Sequence, residues 1–393
     1  MPFEHQLLIA CSRTSPSRAQ SQQIVSLLDK PLDWQEFLSL ANRNLVTPLV
    51  IHCLQTAGLD NLVPADVREK MRNFAKANLA RNLFRQFELQ KVLDALENRN
   101  IFVVILKGAA LAQNVYPNES LRLYADIDLL IPRERLDAAK ATMLELGYSL
   151  ITDNYPVPDE QNEELGCEWT YVKQTNIIEI HWNLVDKLSP FNIDPKGLLD
   201  RAVPFKLGES MSHSLAPEDE ILHLCVHQFK HHWDQLRDLC DVSELISKYE
   251  TSLDWQVVLE RSRQIRADKC LFYTLSLCRN ILAAGVPGDV MAELESRVNT
   301  GILSRSVYDL IQKNMLAYST PHGYWPVILV DSFSAKANII REAIHNQTKN
   351  RGFSNQEEMN RSDTAKHSNK TLLTLNSLMD YRRMVSQLLT LII

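Results

Sequence analysis

The chain has 393 residues, a formal net charge of -6, 45% hydrophobic and 23% charged residues. That is room for two or three domains with an ordinary globular core, and the negative balance argues against a protein that grips nucleic acid through a broad basic surface. No run approaches the roughly 18 apolar residues of a spanning helix, and the apolar patch Leu7–Cys11 lacks a basic start and is too short for a signal-peptide core. The expectation is a cytoplasmic protein with no transmembrane segment. Cys11, Cys53, Cys167, Cys225, Cys240, Cys270 and Cys278 are widely spaced without a C-x-x-C, which reads as free buried thiols rather than a zinc ribbon or a redox pair.

Residues 1–97 read as a helical region. Segments 21–29, 34–43 and 71–97 carry apolar residues at three- and four-residue spacing, Leu79, Leu83 and Phe87 among them, with Pro31 and Pro64 as breaks. Asn98-Arg99-Asn100 is a turn signal, and Ile101–Leu106 is an apolar run of strand length ended by Lys107-Gly108. A short helix over 109–116, a strand over Leu123–Ile131 and an amphipathic helix over 133–146 ended by Gly147 follow. Two strands near 168–173 and 177–182, joined through Gln174-Thr175-Asn176, complete a small α/β core assigned to 98–210. Pro217 with Glu218, Asp219 and Glu220 opens a helical domain over 211–345, with helices at 218–232, 234–249, 255–264 and 268–283. The polar stretch 346–370 reads as a disordered linker and 371–393 as a terminal helix. The expected fold class is α+β, a small mixed-sheet core flanked by helical regions.

The chemistry concentrates in the core. Side chains alternate across a strand, so Ala125, Ile127, Leu129 and Ile131 share an apolar face while Asp126 and Asp128 stand together on the other. Adjacent carboxylates repel unless a cation lies between them, and hard oxygen donors suit Mg²⁺ or Mn²⁺. In Ile177-Ile178-Glu179-Ile180-His181-Trp182 the same alternation sends Ile178, Ile180 and Trp182 to the core and leaves Glu179 with His181. If the two strands pair, Asp126, Asp128 and Glu179 converge as metal ligands, in the manner of sites that hold two ions roughly 3.5–4 Å apart for in-line transfer at phosphorus. Lys107, Gly108 and Ala109 sit where a strand enters a helix, a place that favours phosphate through free N–H groups. Arg122 supplies a cation to a phosphate or to the carboxylates. Downstream, His223, His227 and His231 fall on one helix face, where His227, His231 or Trp233 is expected to line the cleft rather than to bind zinc. Arg237 and Asp241 are expected to form a structural ion pair.

Taken together, Leu106-Lys107-Gly108, Arg122, Asp126 to Leu130, Gly147-Tyr148 and Glu179-Ile180-His181-Trp182 resemble the bacterial uncharacterised nucleotidyltransferase family of the DNA polymerase β-like superfamily. His227, His231, Trp233 and Asp241 extend the resemblance, which covers roughly residues 30 to 290. It implies a metal-dependent enzyme that moves an NMP group from a Mg²⁺-bound NTP to an acceptor hydroxyl and releases pyrophosphate. Asp126, Asp128 and Glu179 would be catalytic, with Lys107, Gly108, Ala109, Arg122 and His181 at the nucleotide. Ala109 stands where the wider superfamily has Gly or Ser, so phosphate contacts fall to backbone N–H groups, Lys107 and Arg122. The acidic composition favours a small molecule as acceptor, then a protein side chain. The alternatives are a scaffold that keeps the fold without catalysis and a glycosyltransferase using Asp-x-Asp.

Overall fold

The computed structural model describes residues 1–151, 165–187, 189–208, 210–231 and 233–298. The expected linker and terminal helix, and the helical domain beyond 298, lie outside the described residues. Residues 1–187 and 191–298 belong to one compact unit.

Four helices open the chain: α1 (Phe3–Cys11), α2 (Arg18–Leu28), α3 (Trp34–Arg43) and α4 (Thr47–Thr56). Two of the four starts are capped by side chains. Ser17 and Gln20 form a reciprocal capping box on α2, and the Asp33 carboxylate accepts from the N–H groups of Gln35 and Glu36 on α3. The long helix α5 (Ala65–Glu97) departs from the sequence reading. Leu83 and Phe87 of its apolar stripe are exposed, Phe87 by 61%, while Asn78 and Asn82 on another face are buried. The reason is a polar tertiary contact. Asn78 donates to the Ser120 carbonyl, and Asn82 donates to those of Glu119 and Arg122, at 2.7–3.1 Å. These bonds satisfy carbonyls of a buried connection and fix the approach to the next strand.

The core follows as β1 (Val104–Leu106), α6 (Lys107–Asn114), β2 (Asp126–Leu130), α7 (Leu136–Glu145), β3 (Ser149–Leu150), β4 (Glu168–Lys173) and β5 (Asn176–His181). After α8 (Pro195–Asp200) come β6 (Val203–Leu207) and β7 (Ser210–Ser214). The seven strands form one mixed sheet in the order β3-β4-β5-β2-β1-β7-β6. The β6–β7 hairpin goes beyond the sequence reading. Its signal was the alternation of Val203, Phe205 and Leu207 before Gly208, which has φ +57°, but its docking beside β1, with Ser214 paired to Ile105, is a long-range choice. The hairpin also runs across residue 210, where the sequence suggested that the core ends.

One face of the sheet carries the large core. Ile105, Ile127, Leu129, Ile178, Ile180, Trp169, Tyr171 and Trp182 pack there against Leu89, Val92 and Leu96 of α5 and against α6 and α7. The other face carries a smaller apolar cluster, including Val104, Leu106, Leu130, Leu198 and Leu215. The remaining helices are α9 (Pro217–Lys230), α10 (Leu236–Lys248), α11 (Trp255–Gln264), α12 (Asp268–Leu282) and α13 (Gly288–Val298). Pro217 does open α9, with Glu218, Asp219 and Glu220 in its first turn. All seven cysteines are free and buried, and no helix of the described residues is long and apolar enough to cross a membrane.

Candidate active site

β2 and β5 run parallel in register Asp126↔Ile177, Asp128↔Glu179 and Leu130↔His181. Because Ile127, Leu129, Ile178 and Ile180 enter the large core, the alternation of each strand leaves Asp126, Asp128, Glu179 and His181 on the opposite face. β1 lies antiparallel along the other edge of β2, with Leu106 opposite Asp128. The next residue is Lys107, whose ammonium reaches Asp128 Oδ1 at 3.0 Å. Lys107 has φ +40°, a region that non-glycine residues seldom occupy. The sharp strand-to-helix turn needs this backbone, and the burial of the ion pair helps to hold it.

His181 gathers the carboxylates. Its Nε2 is 3.1 Å from Asp128 Oδ1 and 3.5 Å from Glu179 Oε2, and its Nδ1 is 3.2 Å from Glu168 Oε2. Glu168 comes from β4, which is antiparallel to β5 with Glu168 opposite His181. Nothing in the spacing around Glu168 assigns it a role. The signal was present, since burial of Trp169 and Tyr171 sends Glu168 to the site face, but only the register sets it against His181.

The charges are mutually dependent. Burial would raise the Asp128 carboxyl, yet the Lys107 charge and the His181 hydrogen bond outweigh it and hold the group well below the usual carboxylate range. Burial likewise opposes the charge on Lys107, and Asp128, Asp126 and Glu179 more than restore it. His181 is raised well above an ordinary imidazole: burial favours the neutral ring, but Glu168 and the hydrogen bonds to Asp128, Cys167 and Glu179 prevail. Glu179 is shifted up by burial, reinforced by the charges of Asp128 and Glu168 against its hydrogen bond from His181. Four carboxylates, of Asp126, Asp128, Glu168 and Glu179, thus surround two cations. The excess of negative charge fits a divalent ion, and ligand atoms of Asp128, Glu179 and His181 lie within 4.8 Å of one another.

Gly108 begins the helical turn beside this cluster. A Cβ there would stand 3.0 Å from Tyr124 Cβ, 3.2 Å from its Cγ and 3.3 Å from an Arg122 guanidinium nitrogen. The Tyr124 ring stem cannot swing away without leaving the core, so Gly108→Ala is expected to destabilise the protein by about 1–3 kcal/mol. A lowered urea midpoint at unchanged slope checks this. The Ala109 methyl packs in the large core, so only its backbone is placed to meet a ligand.

Arg122 pairs with a carboxylate outside the cluster, that of Asp241. It is buried and forked onto Asp241, with Nε 3.2 Å from both carboxylate oxygens and an Nη 2.8 Å from Oδ2, while the Tyr116 hydroxyl donates to Oδ1 at 2.8 Å. This corrects the expected pairing of Arg237 with Asp241: Arg237 bonds Asp238 instead, at 2.8 Å. Trp233 is placed in the helical core, 1% exposed, with its indole N–H on Thr274 Oγ1 at 2.9 Å. His223 and His227 of α9 and His231 at its C-terminal cap follow one another, with ring centroids 6.3 and 4.4 Å apart. Burial, with Lys107 among the nearby positive charges, pushes His223 down to about 3 and His227 well below an ordinary imidazole. Burial and the Lys230 charge lower His231. The rings are therefore neutral at pH 7 and stand within electrostatic reach of Lys107.

No curated protein matches the chain. Among solved structures, the solution structure of the antibiotic-resistance factor ANT(2'')-Ia aligns at 16% identity and a TM-score of 0.34, over 47% of this chain and 94% of that chain. The family described as "Uncharacterised nucleotidyltransferase" matches residues 30–283, well over half of the sequence and the whole of the sheet with its carboxylates. The chain belongs to this uncharacterised nucleotidyltransferase family.

Proposed function

We propose that the protein transfers an NMP group from an NTP to the hydroxyl of a small molecule or, as a second choice, of a protein side chain, releasing pyrophosphate. The observation that carries this reading is the parallel register that sets Asp128 beside Glu179, with Lys107 and His181 on the same carboxylate. Membership in a nucleotidyltransferase family favours it over sugar transfer.

A divalent ion, Mg²⁺ or Mn²⁺, would be held by Asp126, Asp128 and Glu179, and when bound it neutralises triphosphate charge and stabilises the displacement at the α-phosphorus. Asp128 is kept ionised by Lys107 and His181. Lys107 and the first N–H groups of α6, at Gly108 and Ala109, face the phosphates. Glu179, shifted up by burial and by its neighbours, takes the proton of the acceptor hydroxyl. The acceptor oxygen bonds the α-phosphorus as the bond to the pyrophosphate oxygen breaks. Arg122 supports the site from behind through Asp241, and His227 and His231 present neutral rings beside it.

The test is to incubate the protein with each α-³²P-labelled NTP, Mg²⁺ or Mn²⁺ and cell extract, beside the Asp126→Ala/Asp128→Ala double variant. Label should move onto an acceptor with the wild type alone. If no label moves, and calorimetry detects no metal-dependent NTP binding, the transferase reading fails and a scaffold that retains the fold takes its place.

A further inference from the structure

His181 stands between two groups of ligand atoms. Asp128 and Glu179 lie against its Nε2 and Glu168 against its Nδ1, and the donor atoms of Cys167, Glu168 and His181 also fall within 4.8 Å of one another. Both the ring and the thiol are buried, His181 being 4% exposed and Cys167 1%. Nε2 is anchored on Asp128 Oδ1. Nδ1 is buried and makes no well-aligned hydrogen bond; it faces the Glu168 carboxylate, with Oε2 3.2 Å away. A buried nitrogen left in this way is costly. An imidazole with one nitrogen fixed on a carboxylate and the other directed at sulfur and oxygen donors is the usual setting of a metal-ligating histidine.

The backbone maintains the grouping. The Cys167 carbonyl accepts from the N–H groups of Trp182 and Asn183 at 2.9 and 3.4 Å, which ties the start of β4 to the end of β5. Cys167 Sγ is 3.7 Å from Glu168 Oε2.

We propose that Cys167 Sγ, Glu168 Oε2 and His181 Nδ1 form a second metal site, for a borderline-soft divalent ion of the Zn²⁺ class. Sulfur, imidazole nitrogen and one carboxylate are donors for Zn²⁺ and not for Mg²⁺, which prefers an all-oxygen set such as that offered by Asp126, Asp128 and Glu179. Binding releases the Cys167 thiol proton, and any proton on His181 Nδ1, to solvent. The bound ion then keeps His181 Nε2–H directed at Asp128. The proposal shares His181 with the site of transfer but does not depend on transfer taking place.

The experiment titrates the metal-free full chain with Co²⁺ and follows the thiolate-to-cobalt charge-transfer absorption. The wild type and Asp126→Asn should both develop the band at one equivalent, and Zn²⁺ should displace the Co²⁺. Cys167→Ser should lose the band and bind Zn²⁺ at least about tenfold more weakly, with Glu168→Gln retaining the band at reduced affinity. Zn²⁺ X-ray absorption of the wild type, which needs no variant to fold, should show one sulfur neighbour at about 2.3 Å. Absence of the band in the wild type, its persistence in Cys167→Ser, or a Zn²⁺ shell of nitrogen and oxygen only would overturn the proposal.

Discussion

Asp128→Asn is expected to reduce transfer by about 10³-fold or more and also to lower folding stability by about 3–5 kcal/mol. Asp126→Asn should show a comparable loss of transfer at little cost in stability. The two residues share a strand face but not a surrounding. Asp128 is buried, and its Oδ1 receives both the Lys107 ammonium and the His181 ring. Removing its charge leaves a buried cation uncompensated, which is the costly way to break an ion pair. Asp126 is partly exposed at the start of β2. pH adds a signature. The Asp128 carboxyl is depressed in the fold by Lys107 and His181 against burial, so its stabilisation is complete above its unfolded value of about 4 and is lost as pH falls below that. Lys107 is raised, so its share is complete below its unfolded value of about 10.4 and is lost as pH climbs above it. Urea unfolding at a series of pH values should therefore show a shallower acid limb in Asp128→Asn than in Asp126→Asn. Equal midpoints for the two variants at pH 7 would mean that the buried pair contributes nothing.

Asp241→Ala should cost about 3–5 kcal/mol although Asp241 lies outside the carboxylate cluster. Its side chain is fully buried and receives the Arg122 fork and the Tyr116 hydroxyl. Truncation would strand a guanidinium that burial already disfavours and that the Asp241 charge more than restores. Arg122→Ala should be similarly harmful, and Tyr116→Phe should lose only about 1 kcal/mol. The pair also positions the site. Arg122 donates to the Leu123 carbonyl, and its own carbonyl is held by Asn82, just ahead of β2. Transfer should fall in these variants together with stability, while NTP affinity measured below the unfolding range stays near that of the wild type. An Arg122→Ala protein of normal stability that no longer binds NTP would instead make Arg122 a phosphate ligand.

What the sequence determined by itself is local. The two-residue period of Asp126-Ile127-Asp128-Leu129 and of Ile178-Glu179-Ile180-His181 places acids on one face and aliphatics on the other, because each strand residue's side follows from its neighbours alone; ahead of the strand the pattern lapses, with Tyr124 in the core and Ala125 exposed. The α9 start at Pro217 is legible for the same reason, since capping chemistry sits within one turn. Tertiary structure decided which faces meet. Only the parallel register brings Asp128 to Glu179, and only the antiparallel one brings Glu168 to His181. Asp241 binds Arg122 rather than its helical neighbour Arg237 because α10 packs where the buried guanidinium needs a counter-charge. Leu83 and Phe87 of α5 stay exposed because the asparagines of that stretch, Asn78 and Asn82, are the residues that can satisfy the carbonyls at 119–122. A periodic pattern fixes direction within an element, but partners are chosen by hydrogen bonds and charges that must be met once water is excluded.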